Sequence, residues 1–407
     1  APGLLDAALQ AARRHRIRVL GPNCLGLIRP AVGMNATFSN GGALPGRLAL
    51  VSQSGALCTA ILDWAAARGV GFSLVASIGD AADVGFGDLL DYLALDGRTD
   101  SILLYVEGLH EARAFMSGLR AAARLKPVIV VKAGRHAAGA HAAMSHTGAM
   151  VGADDVFDAA LRRAGAVRAM SFDQLFAAAQ LLSGRRRVRG NRLAVVTNGG
   201  GPGVMAVDRA ADLGVAVADL SEATIARLDE LLPPGWSRGN PVDVLGDAPP
   251  ARYRSAVAAC LTDPGVDAVL AMLTPQAMTQ PEAAAAAVID AAAAAPKPVL
   301  ACWMGEAQVA AARERFREQQ VPAFPSPETA VEAFSYLSAH SAHQRLLMQV
   351  PAPLRDRSAF DVAGVRLIRE ACLAQGRTML SGTEARAVLR AFGIPVVEAI
   401  HARSAAE

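Results

Sequence analysis

Five short stretches carry residues whose types and spacing could do chemistry. The first is Ala143-Met-Ser-His146-Thr-Gly148-Ala-Met150, a histidine set among small residues. An imidazole in such a loop can titrate, ligate a metal or act as a nucleophile. The second, Tyr105-Val-Glu107-Gly108, closes an apolar run with a carboxylate. A carboxylate bonded to one ring nitrogen of a histidine fixes the tautomer and leaves the other nitrogen free to attack. The third and fourth are the small-residue turns Ser52-Gln53-Ser54-Gly55-Ala56 and Asn198-Gly199-Gly200-Gly201-Pro202-Gly203. Each joins a strand-like run to a helix-like run, which points backbone N–H groups and the positive end of a helix at an anion. The second of these turns lacks the Lys-Ser/Thr of a P-loop. The fifth is Gly21-Pro22-Asn23-Cys24-Leu25-Gly26, a tight turn. Taken singly, each has a plainer reading: a solvated histidine, an acid capping a helix, a serine N-cap, a reversal of the chain.

The elements that must position them follow from apolar periodicity. Residues 4–15 have helical spacing with a basic last turn, and Ile17-Arg-Val-Leu20 reads as a strand. Strands are expected at 47–52, 72–78, 101–106 and 128–131, alternating with helices at 55–67, 88–95 and 111–124. The Gly/Ala-rich stretch 134–152 has no apolar period and places His146 beyond the carboxyl end of a strand, where open α/β sheets hold their ligands. Glu107, at the end of the neighbouring strand, would lie beside that loop and would stay wet. Helices from Asp154 and over 172–182 complete a doubly wound parallel sheet. After a basic run at 185–189 the alternation resumes with a strand at 192–197, a helix to Leu213, strands at 266–273 and 299–303, and a helix at 326–348. Asn240-Pro-Val-Asp243 reads as part of a long loop, Pro351-Ala-Pro353 as a linker, and the tail from Leu380 as an N-capped helix and a strand.

Bulk properties exclude other classes. With 407 residues, 52% of them apolar, the chain can build two or three cores. The longest apolar runs are Ala-dominated and too weak for a bilayer, so no membrane partner is expected. A net charge of +3 with scattered basic residues and 5% aromatics argues against nucleic acid. Five separated cysteines show no metal-ligand spacing and point to a reduced, cytoplasmic setting. The chain opens without a methionine and stops soon after a new element begins, so a fragment of a longer polypeptide is expected.

In combination and in order, Gly21–Gly26, Ser52–Ala56, Tyr105–Gly108, Ser145–Gly148 and Asn198–Gly201 resemble the nucleoside-diphosphate-forming acyl-CoA synthetases, the superfamily of ADP-forming acetyl-CoA synthetase and succinyl-CoA synthetase. The resemblance implies an α/β chain in five parts. Residues 1–40 would end a Rossmann-type CoA-binding domain. Residues 41–184 and 191–350 would form two flavodoxin-like, doubly wound parallel-sheet domains, the first carrying a phosphohistidine loop. Residues 351–378 would be a linker and 379–407 the start of an ATP-grasp domain. It implies that His146 is phosphorylated and Glu107 hydrogen-bonds it. Ser52, Gln53, Ser54, Gly55, Ala56, Asn198, Gly199, Gly200 and Gly201 would hold the phosphate from two helix ends, each contributing roughly 0.3–2 kcal/mol. Pro22, Asn23 and Cys24 would contact CoA. The implied reaction joins a small carboxylic acid to CoA with ATP, giving ADP and phosphate through an acyl phosphate. ATP/ADP and Mg2+ would bind the ATP-grasp part, as domain or subunit, and a homo-oligomer is expected. A second reading is a regulatory ligase-like module fused to a GNAT protein lysine acetyltransferase, and a third a plain CoA-binding or structural module.

Overall fold

The computed structural model describes residues 3–136, 139, 153–182, 188–349 and 360–397. His146, expected as the reactive residue, lies outside the described residues. The chain divides into two units, residues 1–348 and 349–407.

In the first unit α1 (Leu4–Arg14) precedes two short strands, β1 (Gly26–Arg29) and β2 (Met34–Thr37). The first alternating run is β3 (Pro45–Ser52), α2 (Gly55–Ala67), β4 (Phe72–Ser77), α3 (Phe86–Leu95), β5 (Ser101–Val106), α4 (Ala112–Leu125), β6 (Val128–Lys132), α5 (Asp154–Ala164), β7 (Val167–Ala169) and α6 (Phe172–Leu182). The second begins with β8 (Arg192–Thr197), α7 (Gly200–Asp212), β9 (Ala216–Val217), α8 (Glu222–Leu231), β10 (Val242–Asp243) and α9 (Pro250–Thr262). It ends with β11 (Ala268–Leu273), α10 (Pro281–Ala293), β12 (Val299–Trp303), α11 (Ala310–Glu318), β13 (Ala323–Phe324) and α12 (Pro327–Met348). No helix among the described residues is long and apolar enough to cross a membrane.

The strands explain the topology. β4, β6, β11 and β12 are buried at every position, as runs covered by helices on both faces must be. The first sheet runs β2-β1-β4-β3-β5-β6-β7, and its parallel part, β4-β3-β5-β6-β7, has the flavodoxin order 2-1-3-4-5. The second runs β10-β8-β11-β12-β13, with β9 paired to the amino end of β8, so it repeats that order with its second strand in two pieces. Asn240 fills the break: its Oδ1 accepts from Val195 N–H at 2.9 Å, and its Nδ2 donates to Leu193 O and Ala218 O, each at 2.9 Å.

The two sheets share one core. Leu50, Val75, Leu103 and Ile129 of the first and Leu193, Val195, Leu270 and Leu300 of the second belong to a single apolar cluster with α2, α6, α7 and α12 between them. The opposite faces pack on α3, α4 and α5 in the first half and on α8 to α11 in the second. The long α12 straps the halves together. His343 Nδ1 lies 2.8 Å from Ala166 O, and Gln344 Nε2 donates to Ala123 O at 2.8 Å.

Two sequence expectations are corrected here. Ile17–Leu20 forms no strand; Val19 N–H donates to Asp83 Oδ2 at 2.7 Å and Val19 O accepts from Val84 N–H at 3.1 Å, so the segment is tied to a loop and joins no ladder. Residues 26–37 instead form a hairpin whose first strand pairs antiparallel with β4. Val242–Asp243, read as loop, is a strand in register with Val196–Thr197.

The second unit holds α13 (Val362–Ala374), which falls inside the expected linker, and α14 (Gly382–Ala391). Ser381 and Glu384 close a capping box on α14. Ile394–Val396 takes no strand, and no other strand is found among the described residues of this unit.

Candidate functional site

The Ser52 turn is built from side chains that bond to backbone. Ser52 Oγ accepts from Ser54 N–H at 3.0 Å and donates to Ser54 O at 2.9 Å, and Ser54 Oγ caps α2 by accepting from Leu57 N–H at 3.3 Å. Gln53 reaches sideways to the end of β5. Its Oε1 accepts from Glu107 N–H at 2.6 Å and Gly108 N–H at 3.1 Å, and its Nε2 donates to Gly108 O at 2.9 Å. The N–H groups of Gly55 and Ala56 open the helix, and Ala56 is exposed.

The Asn198 turn repeats this construction 145 residues later. Thr197 Oγ1 accepts from Gly199 N–H at 3.1 Å and donates to Gly199 O at 2.9 Å. Asn198 reaches the end of β11: Oδ1 accepts from Thr274 N–H at 2.8 Å, and Nδ2 donates to Thr274 O at 2.9 Å. Ser52, Gln53 and Glu107 therefore correspond to Thr197, Asn198 and Thr274. Gly199 caps α7, and Gly200 and Gly201 are exposed. A Cβ built on Gly200 or Gly201 meets nothing within 4 Å, whereas one on Gly203 would lie 3.2 Å from Thr197 Cγ2. Packing demands a small residue at 203 and leaves the amides at 200 and 201 open to an anion.

The turns sit on facing sides and at one end of the paired sheets. Cys58, Ile61 and Leu62 of α2 and Ala206 and Ala210 of α7 lie in the same core cluster. Helix α6 begins after the carboxyl end of β7 and α12 after that of β13. Gln174, near the start of α6, donates to Glu332, in the second turn of α12, at 3.3 Å. Further along, Ser341 donates to Val188 O at 2.7 Å, beyond the end of α6, and His343 meets Ala166 at the amino end of β7. The two helices run the same way, so the carboxyl ends of both sheets open on one side.

Glu107 belongs to the inward-facing row Leu103, Tyr105, Glu107; Leu103 lies in the shared core and Tyr105 packs against it. It is only 8% exposed, which corrects the expectation of a wet carboxylate. The Tyr105 hydroxyl hydrogen-bonds it, and burial together with that carboxylate pushes the phenol up to about 12. Tyr105 was legible as part of a motif but not as a partner of Glu107. Ala133 N–H donates to Val106 O at 2.9 Å, so the chain leaving β6 toward residue 146 starts alongside Glu107. Lys132, 6% exposed, lies 4.0 Å from Asp154 of α5, with Asp154 also bonded by Arg168 at 2.6 Å; this charged cluster was missed because its members lie 14 to 36 residues apart.

The tight turn at 21–26 meets the first site. Leu25 N–H donates to Ser77 Oγ at 3.0 Å, and a Cβ on Gly55 would lie 3.2 Å from Leu25 N. The Gly21–Pro22 peptide is cis, and Asn23 takes a φ of 55° and donates to Asp80 Oδ1 at 3.3 Å. Cys24 Sγ is 3.6 Å from Leu20 O. The other thiols near the sheets are structural: burial pushes Cys58 up to about 11 and Cys260 and Cys302 up to about 12.

Comparison with known proteins gives two domain families. Residues 45–182 match the succinyl-CoA ligase like flavodoxin domain and residues 193–346 the ligase-CoA domain. The chain is 40% identical over 393 residues to an ADP-forming acetate–CoA ligase I of Archaeoglobus fulgidus, covering 95% of this chain and 55% of the relative, so it spans little more than half of that protein's length. It is 37% identical to the alpha subunit of the ADP-forming acetate–CoA ligase I of Pyrococcus furiosus, covering 81% of this chain and 71% of the subunit. A solved acetyl-coenzyme A synthetase 1 of Korarchaeum cryptofilum, in complex with phosphate and ADP, superposes with a TM-score of 0.79 at 34% identity, covering 86% of this chain and 77% of that one.

Proposed function

Because this chain belongs to the family of the ADP-forming acyl-CoA synthetases, we propose that it carries the acyl-transfer and phosphohistidine half of the reaction that joins a small carboxylic acid to CoA. In the direction of ATP formation, a phosphate oxygen attacks the acyl-CoA carbonyl, the CoA thiolate leaves, and an acyl phosphate results. A ring nitrogen of His146 then attacks the phosphorus and the carboxylate leaves. The phosphoryl group passes from His146 to ADP, held with Mg2+ by an ATP-grasp domain or a separate subunit. The separate alpha subunit of the Pyrococcus relative supports a division of this kind.

The observation that carries the reading is the pair of like-built turns, at Ser52–Ala56 and Asn198–Gly201, on facing sides of one core. Phosphoryl transfer asks for positioning and charge stabilisation more than for covalent chemistry from the protein. Two helix starts converging on one anion supply both without placing a cation there. Glu107 takes the part of the acid that orients His146, and Tyr105 holds Glu107. Pro22, Asn23 and Cys24, joined to α2 through Leu25, take the reactive end of CoA. We place the reaction in the cytoplasm, where CoA and ATP are available and the free thiols stay reduced.

The test is ATP formation. Mixed with acetyl-CoA, phosphate, ADP, Mg2+ and the ATP-grasp subunit of a relative, the chain should form ATP. No ATP from wild type, or undiminished ATP from His146→Ala, contradicts the reading.

A further inference from the structure

We propose that Asp243 makes the anion site at the start of α7 selective for a phosphate that carries a proton. The proposal rests on the reading of that turn as a phosphate site and adds the residue that chooses among anions.

The position of Asp243 follows from its neighbours. Val242 and Val244 lie in the outer core of the second half, so strand alternation turns Asp243 to the inner face, the side on which α7 packs. Asp243 is in register with Thr197, whose hydroxyl fixes Gly199. Two residues before it, Pro241 touches α7: a Cβ on Gly203 would meet Pro241 Cβ at 3.5 Å and Thr197 Cγ2 at 3.2 Å. Two strand residues advance the chain by roughly 6.6 Å, and the three helix residues from Gly203 back to Gly200 cover about 4.5 Å. The carboxylate is therefore level with the open amides of Gly200 and Gly201, on the same face and one strand away from Thr197.

The surrounding bonds hold it there. Asn240 makes three backbone hydrogen bonds across the break in the sheet. Ser237 Oγ donates to Pro241 O at 2.6 Å and accepts from Asp243 N–H at 3.0 Å. Among the described residues, one hydrogen bond reaches the carboxylate, from Leu245 N–H to Oδ1 at 2.8 Å. The first half shows that the scaffold does not require an acid. There Ser77 is in register with Ser52 as Asp243 is with Thr197, and its neutral hydroxyl accepts from Leu25 N–H.

An ionised carboxylate only accepts hydrogen bonds. Beside a helix start that attracts anions, it repels an oxyanion without a proton and welcomes one with a P–OH to donate. Hydrogen phosphate has that donor near neutral pH, and sulfate does not. Sites built to bond a substrate hydroxyl reject the analogue lacking it, because the buried polar group is left unpaired or faces a like charge.

Calorimetric titration of the whole chain with inorganic phosphate and with sulfate, at pH 7 and matched ionic strength, tests this. Wild type should bind phosphate tighter by on the order of tenfold or more. In Asp243→Asn, and in Asp243→Ser, which copies the first half, sulfate should bind as well as phosphate to within about threefold, and unchanged melting temperatures would separate this from a structural role. Gly200→Val should weaken both anions together. Equal binding of the two by wild type, or an unchanged preference in both folded Asp243 variants, overturns the role of Asp243 and leaves the anion site standing. Failure of wild type to bind either anion overturns the phosphate reading of the turn and this proposal with it.

Discussion

Gln53 holds Glu107 by its backbone: the amide oxygen of Gln53 accepts the Glu107 N–H at 2.6 Å, across 54 residues of sequence. The side chain that opens the first turn thus also sets the height of the Glu107 carboxylate at the carboxyl end of β5. Gln53→Ala leaves the N–H of buried Glu107 without this partner, at a cost of about 1–3 kcal/mol. It should lower the melting temperature and slow phosphoryl capture together. Thermal melts and phosphate labelling on the same preparation check it; an unchanged labelling rate in a destabilised protein would show that the clamp matters only to folding.

Asn198 does the same for Thr274, which carries no charge. Asn198→Ala should cost similar stability, about 1–3 kcal/mol, with a smaller loss of labelling than Gln53→Ala, because no ionisable partner is displaced. A larger loss would place an unrecognised function at Thr274.

Glu107→Gln keeps the shape of the side chain and an oxygen that can accept from the Tyr105 hydroxyl. Its stability should stay within about 1 kcal/mol of wild type, while labelling should slow on the order of a hundredfold from lost control of the histidine tautomer. Normal labelling in a folded Glu107→Gln protein would remove Glu107 from the chemistry.

Gly200 has open space around its missing side chain, and its helix position has no positive φ. Gly200→Ala should therefore leave stability unchanged or raise it by about 0.4–1 kcal/mol, through the less flexible unfolded chain. Phosphate binding should nevertheless weaken, since a methyl group stands over the open amides. Denaturant melts and phosphate titration measure the two effects separately, and tighter phosphate binding would contradict the open-amide site.

Asp267 is held below its ordinary value of 3.8 first by hydrogen bonding from the Arg192 side chain, against the opposing effect of burial. A depressed carboxylate contributes stability that is present above the unfolded value and lost as pH falls through the folded one. Asp267→Asn should thus be less stable than wild type at pH 7, and the gap should close below about pH 3.8. A gap independent of pH between 7 and 3 would mean that the Arg192 pairing contributes nothing.

Much of this fold is readable from sequence because buried parallel strands announce themselves. The runs 101–106, 192–197 and 299–303 coincide with β5, β8 and β12, and the turns after β3 and β8 are marked by residues that only caps and close approaches favour. What escapes is whatever depends on a distant partner. Nothing in Gln53 or Asn198 says that their amides grip neighbouring strands, and nothing in Glu107 says that Tyr105 and the shared core bury it. Ile17–Leu20 has strand composition but finds no ladder, while Gly26–Arg29 lacks it and pairs with β4. Val242–Asp243 is too short to carry a period, and α13 hides behind the Pro351-Ala-Pro353 run.

The most direct measurement is the identity of the phosphorylated residue. Acetyl phosphate labelled in its phosphoryl group delivers that group without CoA or nucleotide. Wild type should take up about one label per chain, stable in base and lost in acid as phosphohistidine is, and His146→Ala should take up none. Acid-stable label, label that survives in His146→Ala, or none in folded wild-type protein would contradict phosphoryl transfer through His146.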